Sequence, residues 1–252
     1  QTRLVAAEFM RLHDEKQIDW RDMAILVRSR RAQVEAMEET LQSLGIPYRL
    51  VGGRGFWRRQ EVRDLVCLIR ALANAADEVA LFAVLRGPLA GLDDSEILFL
   101  SELGRRSLYR GLNQLLDLDD RLKLADGIDG EHRGRLERDL ERLPIDLLRQ
   151  VYAEHKPDRW RIVRTAAERL GRHGVWRQRV DCVPLGDLLA FALDESGAWG
   201  VYSGFEDGER CIGNLQLLLD EVRDREHARP CPLAELARTL DKLVNEGTRD
   251  EQ

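Results

Sequence analysis

Hydrophobic positions recur at helical intervals through most of this chain, and two short stretches break the rhythm. Leu4, Val5, Phe9 and Leu12 form a stripe that predicts a helix over 2–16. Met23 to Val27 is an unbroken apolar run, short enough for a strand buried in a parallel sheet. Val34, Met37, Leu41 and Leu44 return to helical spacing, and Gly45 stands where a helix ends. Pro47-Tyr48-Arg49-Leu50-Val51 reads as a second strand. Strand, helix and strand joined by short connections predict a right-handed parallel crossover.

A further helix is predicted from about Arg59 to Asn74, with Val62, Leu65, Val66, Ile69, Leu72 and Ala73 on one face. Beyond it strand signals nearly vanish. Helices are predicted over 79–85, 94–103, 108–116, 134–154, 160–170, 185–193, 209–225 and 233–244. Asp93-Asp94-Ser95-Glu96 supplies a capping signal before Ile97. Turns are expected at Gly87-Pro88, Gly104, Asp126-Gly127, Pro157, Gly197 and Gly204 to Gly208. The expected fold class is mostly α with a small α/β part, a partial parallel sheet followed by an all-helical region. The expected domains are 1–76 and 77–252.

Composition narrows the picture. Hydrophobic residues at 44% and charged residues at 33% fit a folded, helix-rich chain and argue against disorder. A formal net charge of -6 excludes a globally basic nucleic-acid binder, so any such contact must come from local patches. Cys67, Cys182, Cys211 and Cys231 are widely separated, with no C-x-x-C pair, which points to a reducing cytoplasm and away from a zinc site or disulfide framework. Cys67 lies within an apolar helical stripe, where a buried free thiol is expected. The sequence shows no apolar run of membrane-spanning length and no signal peptide, and no membrane partner is expected. His13, His132, His155 and His227 lack metal-ligand spacing, and neither a bound metal nor a nucleophile is expected. The chain opens at Gln1-Thr2-Arg3 and closes at Asp250-Glu251-Gln252, which reads as a piece of a longer protein.

The densest motif signal follows Val27-Arg28. Gly45-Ile46-Pro47-Tyr48, Gly52-Gly53, Phe56, Arg59, Glu61, Val62, Arg63 and Asp64 occur in one order and spacing. That order resembles the second motor domain of UvrD/Rep-type (superfamily 1A) DNA helicases. Leu72-Ala73-Asn74 with Asp77 is similar to the start of the family's large helical insertion. Val84 to Asp94 and Gly204 to Leu215 look like segments of its helicase-nuclease branch, AddA and RecB.

The resemblance implies that residues 1–76 are part of a second RecA-like domain and that 77–252 are the helical insertion. The family moves along single-stranded DNA with two such domains and binds ATP between them. No G-x-x-x-x-G-K-[ST] loop and no Gly-Lys pair occur here, so ATP and Mg2+ are expected on a first motor domain outside this sequence. The fragment alone is then expected to be inactive. The resemblance makes the intact protein a cytoplasmic ATP-dependent DNA helicase, a helicase-exonuclease in repair or recombination. Its expected partners are single-stranded and duplex DNA, the first motor domain, and a nuclease or helicase subunit. Two alternatives stand, a plain UvrD/Rep-like helicase and a non-enzymatic helical interaction module.

By the same resemblance Arg28 contacts the γ-phosphate held by the first motor domain, where a fixed positive fork stabilises phosphoryl transfer. Its plainer reading is a surface arginine at a strand end. Many family members carry an adenine-stacking aromatic before this arginine, and Val27 cannot stack. Gly53, Arg54, Phe56, Arg58 and Arg59 form a loop whose cations and aromatic ring suit single-stranded DNA. The competing reading is a tight turn with Phe56 and Trp57 in the core. Glu61, Arg63 and Asp64 read as an exposed helix start or as an interdomain hinge. Arg159, Arg161, Arg164, Arg169, Arg172, His173, Arg177 and Arg179, with Trp160 and Trp176 nearby, read as a duplex-DNA patch or as a solvated helix face.

Overall fold

A computed structural model describes residues 2–27, 31–48, 54–125, 157–228 and 232–249. It divides into two compact units, Gln1–Gly52 and Gly53–Gln252. In the first unit, α1 (Thr2–Lys16) and α2 (Arg31–Ser43) pack on each other. A small core of Ala6, Leu41 and Ile46 joins them, flanked by Trp20, Ile25, Met37 and Tyr48. The buried face of α1 centres on Ala6, leaving Leu4 76% exposed. A 3-10 turn, Trp20–Asp22, places the Trp20 ring on His13 at 4.1 Å, and His13 Nδ1 lies 2.8 Å from the Ile18 carbonyl. Gly45 ends α2 with a φ of +66°, the left-handed geometry its position predicted.

The two expected strands are not seen as a sheet, and no strand occurs among the described residues. Met23 is extended, with φ -109° and ψ 141°, but Met23 to Val27 has no ladder partner among those residues. Leu26 is 98% exposed and Ile25 half-buried. An apolar run becomes a strand only when a neighbour supplies paired N–H and C=O groups, and none of the described residues does so. Of the second expected strand, only Pro47 and Tyr48 are among the described residues.

The second unit is entirely helical among its described residues. It comprises α3 (Arg54–Arg58), α4 (Gln60–Ala73), α5 (Glu78–Arg86), α6 (Asp94–Leu103) and α7 (Leu108–Ala125). After these come α8 (Pro157–Leu170), α9 (Leu185–Ser196), α10 (Ala198–Ser203), α11 (Gly208–Ala228) and α12 (Leu233–Arg249). Asp126-Gly127 and the helix expected over 134–154 lie outside the described residues.

α4 is the hub. The expected stripe is buried at Val62, Leu65, Val66, Ile69 and Leu72, and Leu68 and Ala71 on the remaining face are buried too. α5, α12, α11 and α3 all pack on it, so it behaves as a helix covered nearly all round. α3 and α4 accordingly fall within the second compact unit, Gly53–Gln252. α4 and its packing partners form one core.

Side chains close several helix ends. Asp93 and Glu96 form the predicted capping box, with Asp93 accepting from the Glu96 N–H at 3.0 Å and Glu96 accepting from the Asp93 N–H at 2.7 Å. Glu78 of α5 accepts from Ser107 Oγ at 2.7 Å and from the Leu108 N–H at 2.8 Å, capping α7 from another helix. Glu226 does the same for α9 through the Leu185 and Gly186 N–H groups at 2.7 and 3.1 Å. Pro157, expected at a turn, opens α8 at the first helical position, where its missing N–H costs nothing. Between α6 and α7 the backbones nearly touch, since a Cβ on Gly111 would lie 2.0 Å from the Leu100 carbonyl oxygen.

Arg177 ties two C-termini together. Its guanidinium donates to the Ala71 and Leu72 carbonyls at 2.9 and 3.1 Å and to the Leu170 carbonyl at 3.3 Å, and it lies over the Tyr109 ring. Burial lowers its pKa, so these carbonyls at the ends of α4 and α8 substitute for water around the charge. Arg177→Ala should lower stability by about 2–3 kcal/mol, because several carbonyls lose their donor at once. Arg177→Lys should recover only part of this, since an ammonium cannot fork across carbonyls. Urea unfolding measures both, and wild-type stability in the lysine variant would contradict the forked role.

Candidate functional site

The expected DNA loop is partly helical. Arg28 and Gly53 lie outside the described residues, and Arg54 opens the one-turn helix α3. Phe56 is 6% exposed, sits in the main core and meets Trp57 edge-on at 5.0 Å. The ring expected to stack on a base therefore fills the core. The reason is amphipathic geometry: Phe56 is the anchor that seats α3, and α12 packs over that helix. Arg58 is exposed and Arg59 half-buried at the joint between α3 and α4. The Arg59 N–H donates to the Phe56 carbonyl at 3.2 Å, and the Arg63 N–H donates to the Arg59 carbonyl at 3.0 Å. The backbone under these two arginines is thus held from both sides.

One turn further on, the structure departs from the expected exposed helix start. Glu61 is 5% exposed and Asp64 4%, whereas Arg63 between them faces solvent. A position three residues on shares a helix face, so both carboxylates enter the core together. Each finds a neutral partner from far along the chain. Asn214 of α11 donates to Glu61 Oε1 at 2.6 Å, and Tyr202 of α10 donates its hydroxyl proton to Asp64 Oδ2 at 2.8 Å. Gln60 donates to Asp64 Oδ1 at 2.6 Å. Burial pushes the Asp64 carboxyl above the ordinary range, and Glu61 adds to the shift, while the bonds from Tyr202 and Gln60 oppose it. Burial first, and the Asp64 charge second, drive the Tyr202 hydroxyl far above the usual phenol range, so it stays a donor. Burial, reinforced by Glu61, also raises the Cys211 thiol. The arrangement is a polar joint between helices. Apolar periodicity could not find it, because carboxylates count against burial until their partners are known.

The basic segment is largely spent inside the protein. Arg159 reaches the buried Glu96 at 2.5 Å and Asp93 at 3.1 Å. Arg169 bonds Glu195 at 2.7 Å and the Leu89 carbonyl at 3.1 Å, lying over the ring of the buried Trp176. Arg179 covers the Phe191 ring at 4.3 Å, and Arg164 pairs with Glu168 at 2.8 Å. Arg161, Arg172 and His173 are exposed. The run is neither a continuous duplex-binding patch nor a plain solvated face. Arg159, Arg169, Arg177 and Arg179 hold separate elements together.

At the other end of α4, Arg70 bridges Asp77 at 2.8 Å and Asp241 of α12 at 2.7 Å, fixing that helix to its neighbour. Cys67 is a half-buried free thiol, raised by burial. Among the described residues, no group of three His, Cys, Asp or Glu side chains could hold a metal ion. No helix among them is long and apolar enough to cross a membrane.

The chain thus carries a glycine-ended helix, an arginine-bearing joint and a buried helix with the sequence E-V-R-D in its first turns, followed by a helical body. Residues 1–123 match the UvrD-like helicase C-terminal domain family. Individual relatives sharpen this. The chain is 37% identical over 94 residues to the ATP-dependent DNA helicase UvrD1 of Mycobacterium tuberculosis, covering 37% of this chain and 12% of that protein. It is 34% identical over 97 residues to the ATP-dependent DNA helicase PcrA of Staphylococcus aureus, covering 38% of this chain and 13% of that protein. It is 23% identical over 231 residues to an ATP-dependent helicase/nuclease subunit of Acetivibrio thermocellus, covering 92% of this chain and 15% of that protein. The chain thus spans only 12 to 15% of the length of these relatives.

The buried carboxylate makes a pH-dependent contribution of known sign. The fold holds a proton on Asp64 at pH values where the unfolded chain, with a carboxyl pKa of about 3.9, has released it. Folded Asp64 binds more protons, so its contribution to stability falls as pH rises from about 4 through its raised pKa and stays lost above it. Asp64→Asn should therefore lose less stability than wild type across that window, the gap widening with pH. Urea unfolding as a function of pH measures it, and parallel curves would contradict the protonated carboxyl.

Proposed function

We propose that the chain is part of an ATP-dependent DNA helicase, with residues 1–76 contributing to its second motor domain and 77–252 forming its helical insertion. The observation that carries this is the family match over residues 1–123, which includes every motif around Arg28 and Glu61. The parallel sheet of that motor domain, RecA-like in the family, would be completed by sequence outside this chain. The exposed Leu26 supports this, since it leaves apolar surface for a neighbouring strand. ATP and Mg2+ would be held by the first motor domain, since this sequence carries no G-x-x-x-x-G-K-[ST] loop to cradle a triphosphate. From this chain, the Arg28 guanidinium would neutralise charge developing on the terminal phosphate as it transfers. Gly53, Arg54, Arg58 and Arg59 would grip the backbone of single-stranded DNA, with Phe56 acting as their anchor.

The match to the Acetivibrio thermocellus helicase/nuclease protein extends through the helical region, which favours the helicase-nuclease branch, a role in cytoplasmic repair or recombination, contact with duplex DNA and a partner protein. The higher identity to UvrD1 and PcrA supports a plain helicase as the second reading. Arg28→Ala in the longer protein should reduce DNA-stimulated ATP hydrolysis by about a hundredfold or more while leaving DNA binding in place. Unchanged turnover would reject the phosphate role.

A further inference from the structure

The joint between α4 and the helices that close the chain supports a mechanical role. Glu61 and Asp64 lie on one side of the first turns of α4, separated by about 4.5 Å of helix rise. Their partners Asn214 and Tyr202 enter the chain 153 and 138 positions later, and all four residues are buried. Apolar contacts between helices tolerate sliding, whereas two directional hydrogen bonds a turn apart fix both the rotation and the register of α4. Stability alone would be served as well by apolar residues of similar size, so what the polar pairs add is a defined geometry.

The far side of the joint is closely packed. α10 and α11 are linked by the turn Gly204 to Asp207, and a Cβ on Gly208 would lie 2.1 Å from the Ser203 carbonyl oxygen. Tyr202 and Asn214 are therefore joined through a closely packed turn. On the near side, Arg59 is two residues before Glu61, and Phe56 pins α3 in the core. Any shift of α10 and α11 is delivered to the backbone that carries Arg58 and Arg59.

We propose that Glu61 and Asp64 are positioning residues, a two-point latch through which α10 and α11 set the attitude of the Arg58–Arg59 joint towards a nucleic-acid backbone. This rests on the DNA-gripping role given to those arginines above. The latch would let the position of the C-terminal helices tune the grip without touching the nucleic acid.

The test is a thermodynamic cycle in the full chain, read as affinity for a fluorescein-labelled oligothymidine. Its arms are Arg58→Ala with Arg59→Ala, Tyr202→Phe with Asn214→Leu, and all four changes together. The arginine changes should weaken binding about tenfold and flatten its salt dependence. The latch changes should reproduce most of that loss and flattening, and adding them to the arginine changes should cost little more. A role confined to general stability would leave the salt slope intact and give additive losses, which would overturn the latch. Latch variants that bind like wild type would overturn it too. Arginine variants that bind like wild type would instead overturn the DNA-gripping reading, and the latch with it. Should Asn214→Leu prevent folding, Tyr202→Phe alone runs the same cycle, since Gln60 still bonds Asp64.

Discussion

The constraint on which the second unit depends is the near-complete burial of a helix that carries two carboxylates. α4 is covered by α3, α5, α11 and α12, so its two buried carboxyl groups have no water to turn to. Burying Glu61 and Asp64 without donors would cost several kcal/mol, enough to consume much of a typical domain's stability. Gln60 of α4 donates to Asp64, but the other donors come from α10 and α11, so α4 is fully satisfied only when the later helices have docked. The core is accordingly one cluster reaching from Phe56 to Val244, and local stability cannot be assigned to its first helices alone.

The same logic explains how a chain of net charge -6 uses its arginines. Arg70, Arg159, Arg169 and Arg177 each bond carboxylates or carbonyls on other helices, and the guanidinium groups of Arg169, Arg177 and Arg179 lie over aromatic rings. A guanidinium keeps its charge when partly buried and serves several acceptors at once, which suits crossings where helix ends converge. Other cations, Arg58 and Arg172 among them, are exposed to solvent. Electrostatic attraction in this protein is therefore a matter of placement and not of total charge.

Helices were legible wherever periodicity and caps agreed. The Asp93–Glu96 box, the glycine ends at Gly45 and Gly197 and the apolar stripe of α4 all appear where local chemistry required them. Three features were not legible, each for a physical reason. Met23 to Val27 has the composition of a strand, but pairing is a property of its neighbours and not of the run itself. Residues 54–58 read as a glycine-rich loop because Gly55 lowers helix propensity, yet Phe56 gains enough by burial to hold one helical turn. Glu61 and Asp64 read as exposed because no local pattern announces a donor 138 or 153 residues away. Of the candidate site, its location in the chain was legible and its inner support was not.

This division has a consequence for how the two parts of the chain relate. The part shared with the UvrD-like helicase C-terminal domain ends at residue 123, yet the groups that satisfy its buried carboxylates stand at 202 and 214. A helix with the E-V-R-D start cannot be kept in this setting unless the later helices keep a hydroxyl and an amide in register with it. Substituting either partner by an apolar residue leaves a carboxyl buried with fewer donors, and substituting the carboxyl leaves an orphaned donor. The motif and the helical region are thus bound by a single polarity requirement, although they lie far apart in sequence. A resemblance that runs weakly across almost the whole chain, instead of stopping with the motif, is what such a requirement would leave behind.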